Sequence, residues 1–183
     1  MTSVPDSVIE QVNYFLNTEW APAIQEMIPD LPSYWGDQCQ LLACHIVGYL
    51  EVFLGIPAEI LVGEVSINGT LEYDTNLTVL KKEYFDEEFL TDAQALHVWV
   101  SIGSDVIIDA AIADRLSRYY QIPRNSMPTV MVGRAADFLS SGFNFSAAYQ
   151  PMIYGRDFLA KTFSPGPEEI KKLYSDLYQS NKN

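Results

Sequence analysis

The sequence predicts one α+β domain spanning residues 1–183, and three observations carry that prediction. Helical patterns occupy the chain up to Met27, an almost uniformly apolar helix follows from Cys39, and β-branched runs punctuated by turn residues come after it. Helices gathered before the strands, without regular βαβ alternation, mark segregated α+β architecture. A chain of 183 residues is long enough to bury a core, and 48% hydrophobic against 19% charged residues excludes intrinsic disorder.

Asp6 or Ser7 caps a first predicted helix that runs to about Asn17, with Val8, Val12, Phe15 and Leu16 on one face. A second short helix is expected over Glu19–Met27, and the prolines of Pro29–Gly36 mark a loop. Cys39–Leu54 is apolar nearly all round, so it is expected to be wrapped by the rest of the domain, ending at Gly55 with Pro57 beyond. Ala58–Ile67 reads as a strand, and Asn68-Gly69 is a strong hairpin signal returning through Thr70–Tyr73.

Leu77–Leu90 is acidic and mixed, either a helix or an insertion. Leu96–Ile102 and Val106–Ala110 form a second strand pair around Gly103-Ser104. A helix over Ala113–Tyr120, strands at Thr129–Val132 and Tyr149–Tyr154, and a terminal helix over Pro167–Gln179 complete the expected elements. There is no internal repeat or linker to divide the chain.

A formal net charge of -13 repels phosphate backbones and anionic bilayers, so neither nucleic acid nor membrane is an expected partner. The most apolar stretch, Leu41–Val65, is broken by His45, Glu51, Pro57 and Glu59 and reads as core, not as a membrane span. The N-terminal residues lack the basic run of a signal peptide. Cys39 and Cys44 point about 140° apart on one helix, which disfavours a disulfide. Free thiols fit a reducing compartment, and the cytoplasm is the expected location. His45 reads as a core or helix-surface residue, because Cys39, Cys44, His45 and His97 match no common zinc spacing; no metal or other cofactor is expected.

Three residues have the types and positions for thiol chemistry. Cys39 stands where a loop meets the start of the apolar helix, and the unpaired N–H groups and positive dipole end there favour a thiolate. Those N–H groups, with the side chain of Gln38 or the indole N–H of Trp35, are candidates to receive an oxyanion. In Leu96-His97-Val98-Trp99-Val100, alternation sets His97 and Trp99 on one face, where a rigidly held imidazole can act as base. Asp109 ends the apolar run Val106-Ile107-Ile108, where an ionised carboxylate needs a partner such as an imidazolium. Register decides whether these two can meet. A two-residue Gly103-Ser104 turn sets Asp109 opposite Val98 on the wrong face, whereas a three-residue loop at Ile102–Ser104, or a bulge, sets it opposite His97. Gly-Ser suits the shorter turn, so both registers stay open. Tyr119, Tyr120 and Tyr149 are compatible either with lining a cleft or with ordinary packing.

Gly36-Asp-Gln-Cys39, Phe53-Leu-Gly-Ile-Pro-Ala58, Val62-Gly63, His97-Val-Trp-Val100 and Ile107-Ile-Asp109 together resemble the core of the transglutaminase-like cysteine enzymes, over about Gly36 to Ala110. The resemblance implies a papain-like fold, with a buried helix that begins at the cysteine and packs on an antiparallel sheet. It implies Cys39 as nucleophile, His97 as base and Asp109 as orienter. The expected activity is acyl transfer from an amide or ester of a peptide, a protein or a small amide. Hydrolysis is favoured over transfer to an amine because water is always present. A noncatalytic binding module of the same fold is the alternative, alongside a transglutaminase or an acetyl-transferring enzyme. The last of these is disfavoured because no Arg-Gly-Gly precedes Cys39.

Overall fold

A computed structural model describes residues 3–86, 96–139 and 145–182. The chain begins with α1 (Asp6–Phe15), which continues through a π-helical turn (Leu16–Trp20) into α2 (Ala21–Met27). The expected cap is corrected by one residue. Pro5 occupies the N-cap in an extended conformation, and Asp6 is the first helical residue, where its charge meets the positive end of the dipole. The expected break between two helices is also absent. The π turn sits just before Pro22, whose ring and missing N–H do not fit regular α-helical bonding.

The buried helix α3 (Cys39–Phe53) stops as its sequence requires. Gly55 takes φ +65°, and the Ile56 N–H donates to the Leu50 carbonyl at 3.0 Å, which satisfies an otherwise orphaned helix-end carbonyl. β1 (Glu59–Ile67) turns at Asn68 and Gly69, both with positive φ, into the short β2 (Thr70–Leu71). Next come α4 (Leu77–Asp86), β3 (His97–Ile102), β4 (Val106–Asp109) and α5 (Ile112–Tyr120). Positions 87–90 of the acidic 77–90 segment lie outside the described residues. β5 (Met131–Arg134), α6 (Ala135–Leu139), β6 (Ala147–Tyr154), α7 (Gly155–Thr162) and α8 (Pro167–Ser180) complete the order. The short helices α6 and α7 were not expected, since neither is long enough to display a clear 3.6-residue period.

The fold is α+β, with a six-stranded antiparallel sheet. β1 is its hub, pairing with β2, β3 and β6, while β4 joins β3 to β5. Gly63 permits the β1–β6 pairing to shift register beside it. A Cβ there would stand 2.1 Å from the Gln150 carbonyl oxygen, so the position admits only hydrogen. Alternation splits the strand side chains between two cores. Ile60, Val62, Val98, Val100, Val106 and Ile108 pack with α1, α2, α3 and α8. Val65, Ile67, Trp99, Ile107 and Met131 pack instead with α5 and α6. Among the described residues, no helix is long and apolar enough to cross a membrane.

One buried polar relay ties three helical elements behind the first core. Trp20 Nε1 donates to the Tyr174 hydroxyl at 3.0 Å, and that hydroxyl lies 3.1 Å from His45 Nδ1. Having accepted from the indole, the hydroxyl donates its own proton to a neutral imidazole. Burial lowers the His45 pKa to about 4, in agreement with the neutral form. Tyr174→Phe strands both nitrogens, and we expect a stability loss of about 1–3 kcal/mol in denaturant unfolding. Unchanged stability would show that the relay contributes nothing.

Candidate active site

β3 and β4 settle the register that sequence left open. Ile102 pairs with Val106, Ser101 with Ile107 and Val100 with Ile108, leaving a three-residue loop of Gly103, Ser104 and Asp105. The loop is odd, but it lies one residue later than the expected Ile102–Ser104, because Gly103 takes φ +61° and begins the turn. One further step of this register sets Asp109 beside Trp99 and diagonal to His97, all on the same face. His97 opens β3 opposite Gly63 of β1, and the residue before it, Leu96, meets Cys39 at the start of α3.

His97 Nε2 donates to Asp109 Oδ2 at 2.5 Å, with both residues almost wholly buried. Asp109 is heavily supported. The Tyr149 hydroxyl donates to Oδ2 at 2.9 Å, while the backbone N–H groups of Ala111 and Ile112 donate to Oδ1 at 2.9 and 3.0 Å. Desolvation works against charge on both partners, yet their mutual attraction prevails. The His97 pKa is raised above its ordinary 6.5, chiefly by Asp109 and further by the Cys39 sulfur. The Asp109 pKa is held below 3.8 by the imidazolium and by its hydrogen bonds. A buried, paired charge is the form that such geometry favours.

The second ring nitrogen is the chemically open one. His97 Nδ1 is buried and has no hydrogen-bond partner among the described residues. Cys39 is near enough for its sulfur to favour the protonated ring, although its thiol here points to the Leu96 carbonyl, 3.9 Å away. No side chain caps α3, whose N-cap is Gln38. The Cys39 backbone N–H therefore stands at an open, positive helix end.

A cavity of about 440 Å³ opens onto the thiol, bordered by Gln38, Cys39, Glu72, Tyr73, Leu96 and Arg115. Gln38 thus lies where a substrate contact was expected. Trp35 does not: its indole is buried edge-on against Trp20, with centroids 6.1 Å apart, and its backbone N–H donates to Asp114 Oδ2. The aromatic character that suggested a cleft residue serves the core instead. Cys44, five positions along α3, is fully buried and its pKa is pushed up to about 12 by desolvation. Among the described residues, no group of three His, Cys, Asp or Glu side chains could hold a metal ion.

Two site residues escaped the sequence reading, and a third was left open by it. Tyr149 was an ambiguous tyrosine, and the structure places its hydroxyl on Asp109. Tyr73 lies flat against His97, with centroids 4.8 Å apart and planes 15° apart. Glu64, buried in β1, accepts the N–H groups of Val65 and Tyr73 on Oε1 and of Thr75 on Oε2, fastening the Tyr73 segment over the histidine. A glutamate inside the β-branched run Leu61–Ile67 was the available signal, since a buried carboxylate requires donors.

Asp109 and His97 make a distinctive NMR prediction, because the chain has only two histidines. In imidazole 15N spectra, one ring should remain protonated above the ordinary 6.5, and the other should stay neutral until the pH approaches about 4. Two rings titrating together near the free value would contradict the buried ion pair. Compared with known proteins, the chain matches no family model, no curated protein and no solved structure.

Proposed function

We propose that the chain is a papain-like, transglutaminase-like cysteine enzyme that transfers an acyl group through Cys39. One observation carries the reading: Asp109 occupies Nε2 of a buried imidazole, leaving Nδ1 unpartnered beside a thiol at an open helix start. His97 already holds a proton on Nδ1 as an imidazolium, and the Cys39 sulfur attacks the carbonyl carbon of an amide or ester as the thiolate of that ion pair. The C=O π pair moves to oxygen. When it returns, the bond to the leaving group breaks, and that group takes the proton from Nδ1. Water then adds to the thioester and gives a proton to the now neutral His97, releasing a carboxylic acid and restoring the thiolate–imidazolium pair. Asp109 stays ionised throughout, fixing the tautomer and stabilising the imidazolium.

Selective alkylation tests the reading. At neutral pH, iodoacetamide should modify Cys39 and leave Cys44 untouched, because Cys44 is sealed in the core and holds its proton tightly. His97→Ala should slow the Cys39 reaction by about 100-fold, as expected on removal of a general base. Sluggish modification of both cysteines, indifferent to His97, would favour a noncatalytic module.

A further inference from the structure

Tyr73 borders the cavity, and its hydroxyl is a buried polar group without an assigned task. Tyr73 is 7% exposed and borders the cavity beside Cys39, and its hydroxyl has no hydrogen-bond partner among the described residues. Leaving a phenol oxygen buried and unpaired costs about 1–3 kcal/mol, so its placement calls for a reason. The ring is held from several sides. It stacks on His97, its backbone N–H is fixed by Glu64 at 2.7 Å, and the Arg115 guanidinium sits 4.4 Å from its centroid. Arg115 is itself pinned, pairing through Nε with Glu72 Oε2 at 3.0 Å, while the Tyr120 hydroxyl donates to Glu72 Oε1 at 2.9 Å.

We propose that the Tyr73 hydroxyl is the second oxyanion donor of the site, acting with the Cys39 backbone N–H on the carbonyl oxygen of the substrate. The inference rests on acyl transfer at Cys39 and adds the residue that stabilises its tetrahedral intermediate. When the sulfur–carbon bond forms, the carbonyl π pair becomes a negative charge on oxygen, and a donor already in place receives it without reorganisation. Burial raises the phenol pKa, reinforced by the neighbouring sulfur, so the group keeps its proton and serves only as a donor. Tyr73 also supplies what Trp35 was expected to provide: an aromatic donor at the cavity, reached through the β1–β2 hairpin instead of the loop before α3.

The test separates oxyanion formation from thiol reactivity. Acylation by p-nitrophenyl acetate passes through an oxyanion, whereas alkylation by iodoacetamide is a displacement at saturated carbon and does not. Tyr73→Phe keeps the ring stack and removes only the oxygen. Its nitrophenolate burst should slow by about 100-fold relative to wild type, the usual effect of losing one oxyanion donor. Cys39 alkylation should be unchanged, and the thermal midpoint should hold or rise because no hydrogen bond is lost. An unchanged burst overturns the proposal. So does a parallel fall in burst and alkylation, which would make Tyr73 a support for His97, or a lowered midpoint, which would reveal a structural partner for the hydroxyl. A wild-type protein that alkylates at Cys39 but gives no burst removes acyl transfer itself, and the donor role with it.

Discussion

Asp109→Ala should unfold the protein more readily and silence Cys39 together. The carboxylate accepts from the His97 ring, the Tyr149 hydroxyl and two backbone N–H groups, and its loss orphans all four in a dry interior. Breaking a buried pair from one side costs about 3–5 kcal/mol. The pH dependence follows from the two opposed shifts. Asp109 is held below its ordinary 3.8, so its contribution is complete above that value and is lost as pH falls through the lower, folded value. His97 is raised above 6.5, so its contribution is complete below 6.5 and is lost as pH rises through the folded value. Wild-type stability should therefore form a plateau between the two limbs, and both limbs should flatten in Asp109→Ala.

Asp109→Asn separates chemistry from folding. Its amide can donate to Nε2, which drives the ring proton onto Nδ1 and removes the base that Cys39 needs. Acyl transfer should fall on the order of 10⁴-fold, with a smaller loss of stability than alanine produces. A variant as active as wild type would detach Asp109 from the reaction.

Glu64→Ala has the second large expected effect, and it connects a strand interior to the site. Three N–H groups, from Val65, Tyr73 and Thr75, lose their carboxylate acceptor at the buried base of a hairpin whose tip is exposed. Each such bond contributes about 1.5–3 kcal/mol, so even a partly relaxed hairpin should lose about 3 kcal/mol. The loss should be localised. Amide exchange at Tyr73 and Thr75 should accelerate most, because Glu64 is their acceptor. Tyr73 should also no longer lie flat on His97. Exchange that stays slow at both positions would mean that the hairpin is held by something other than Glu64.

Much of this architecture was readable from residue patterns. The helix beginning at Cys39 and its Gly55 stop, the Asn68-Gly69 hairpin, and the alternation that sets His97 with Trp99 are local, and local rules give them. The meeting of His97 and Asp109 is not local. It depends on whether the β3–β4 loop holds an even or an odd number of residues, and Gly103-Ser104 satisfies either. Tyr73 and Tyr149 reach the site through β-pairing between distant segments, so no spacing in the chain marks them. Trp35 is the complementary case. An aromatic donor just before a cysteine suits a cleft, but its burial against Trp20 depends on how the loop before α3 meets the π-helical turn, a contact between distant segments.

In the proposed reaction Cys39, activated by His97, takes up an acyl group and yields it to water. Peptide mapping of protein quenched during reaction with p-nitrophenyl acetate tests this most directly. A single acetyl thioester should be found on Cys39, disappearing as acetate forms and failing to accumulate in His97→Ala. Acetyl groups found only on lysines, or on Cys39 to the same extent without His97, would contradict it.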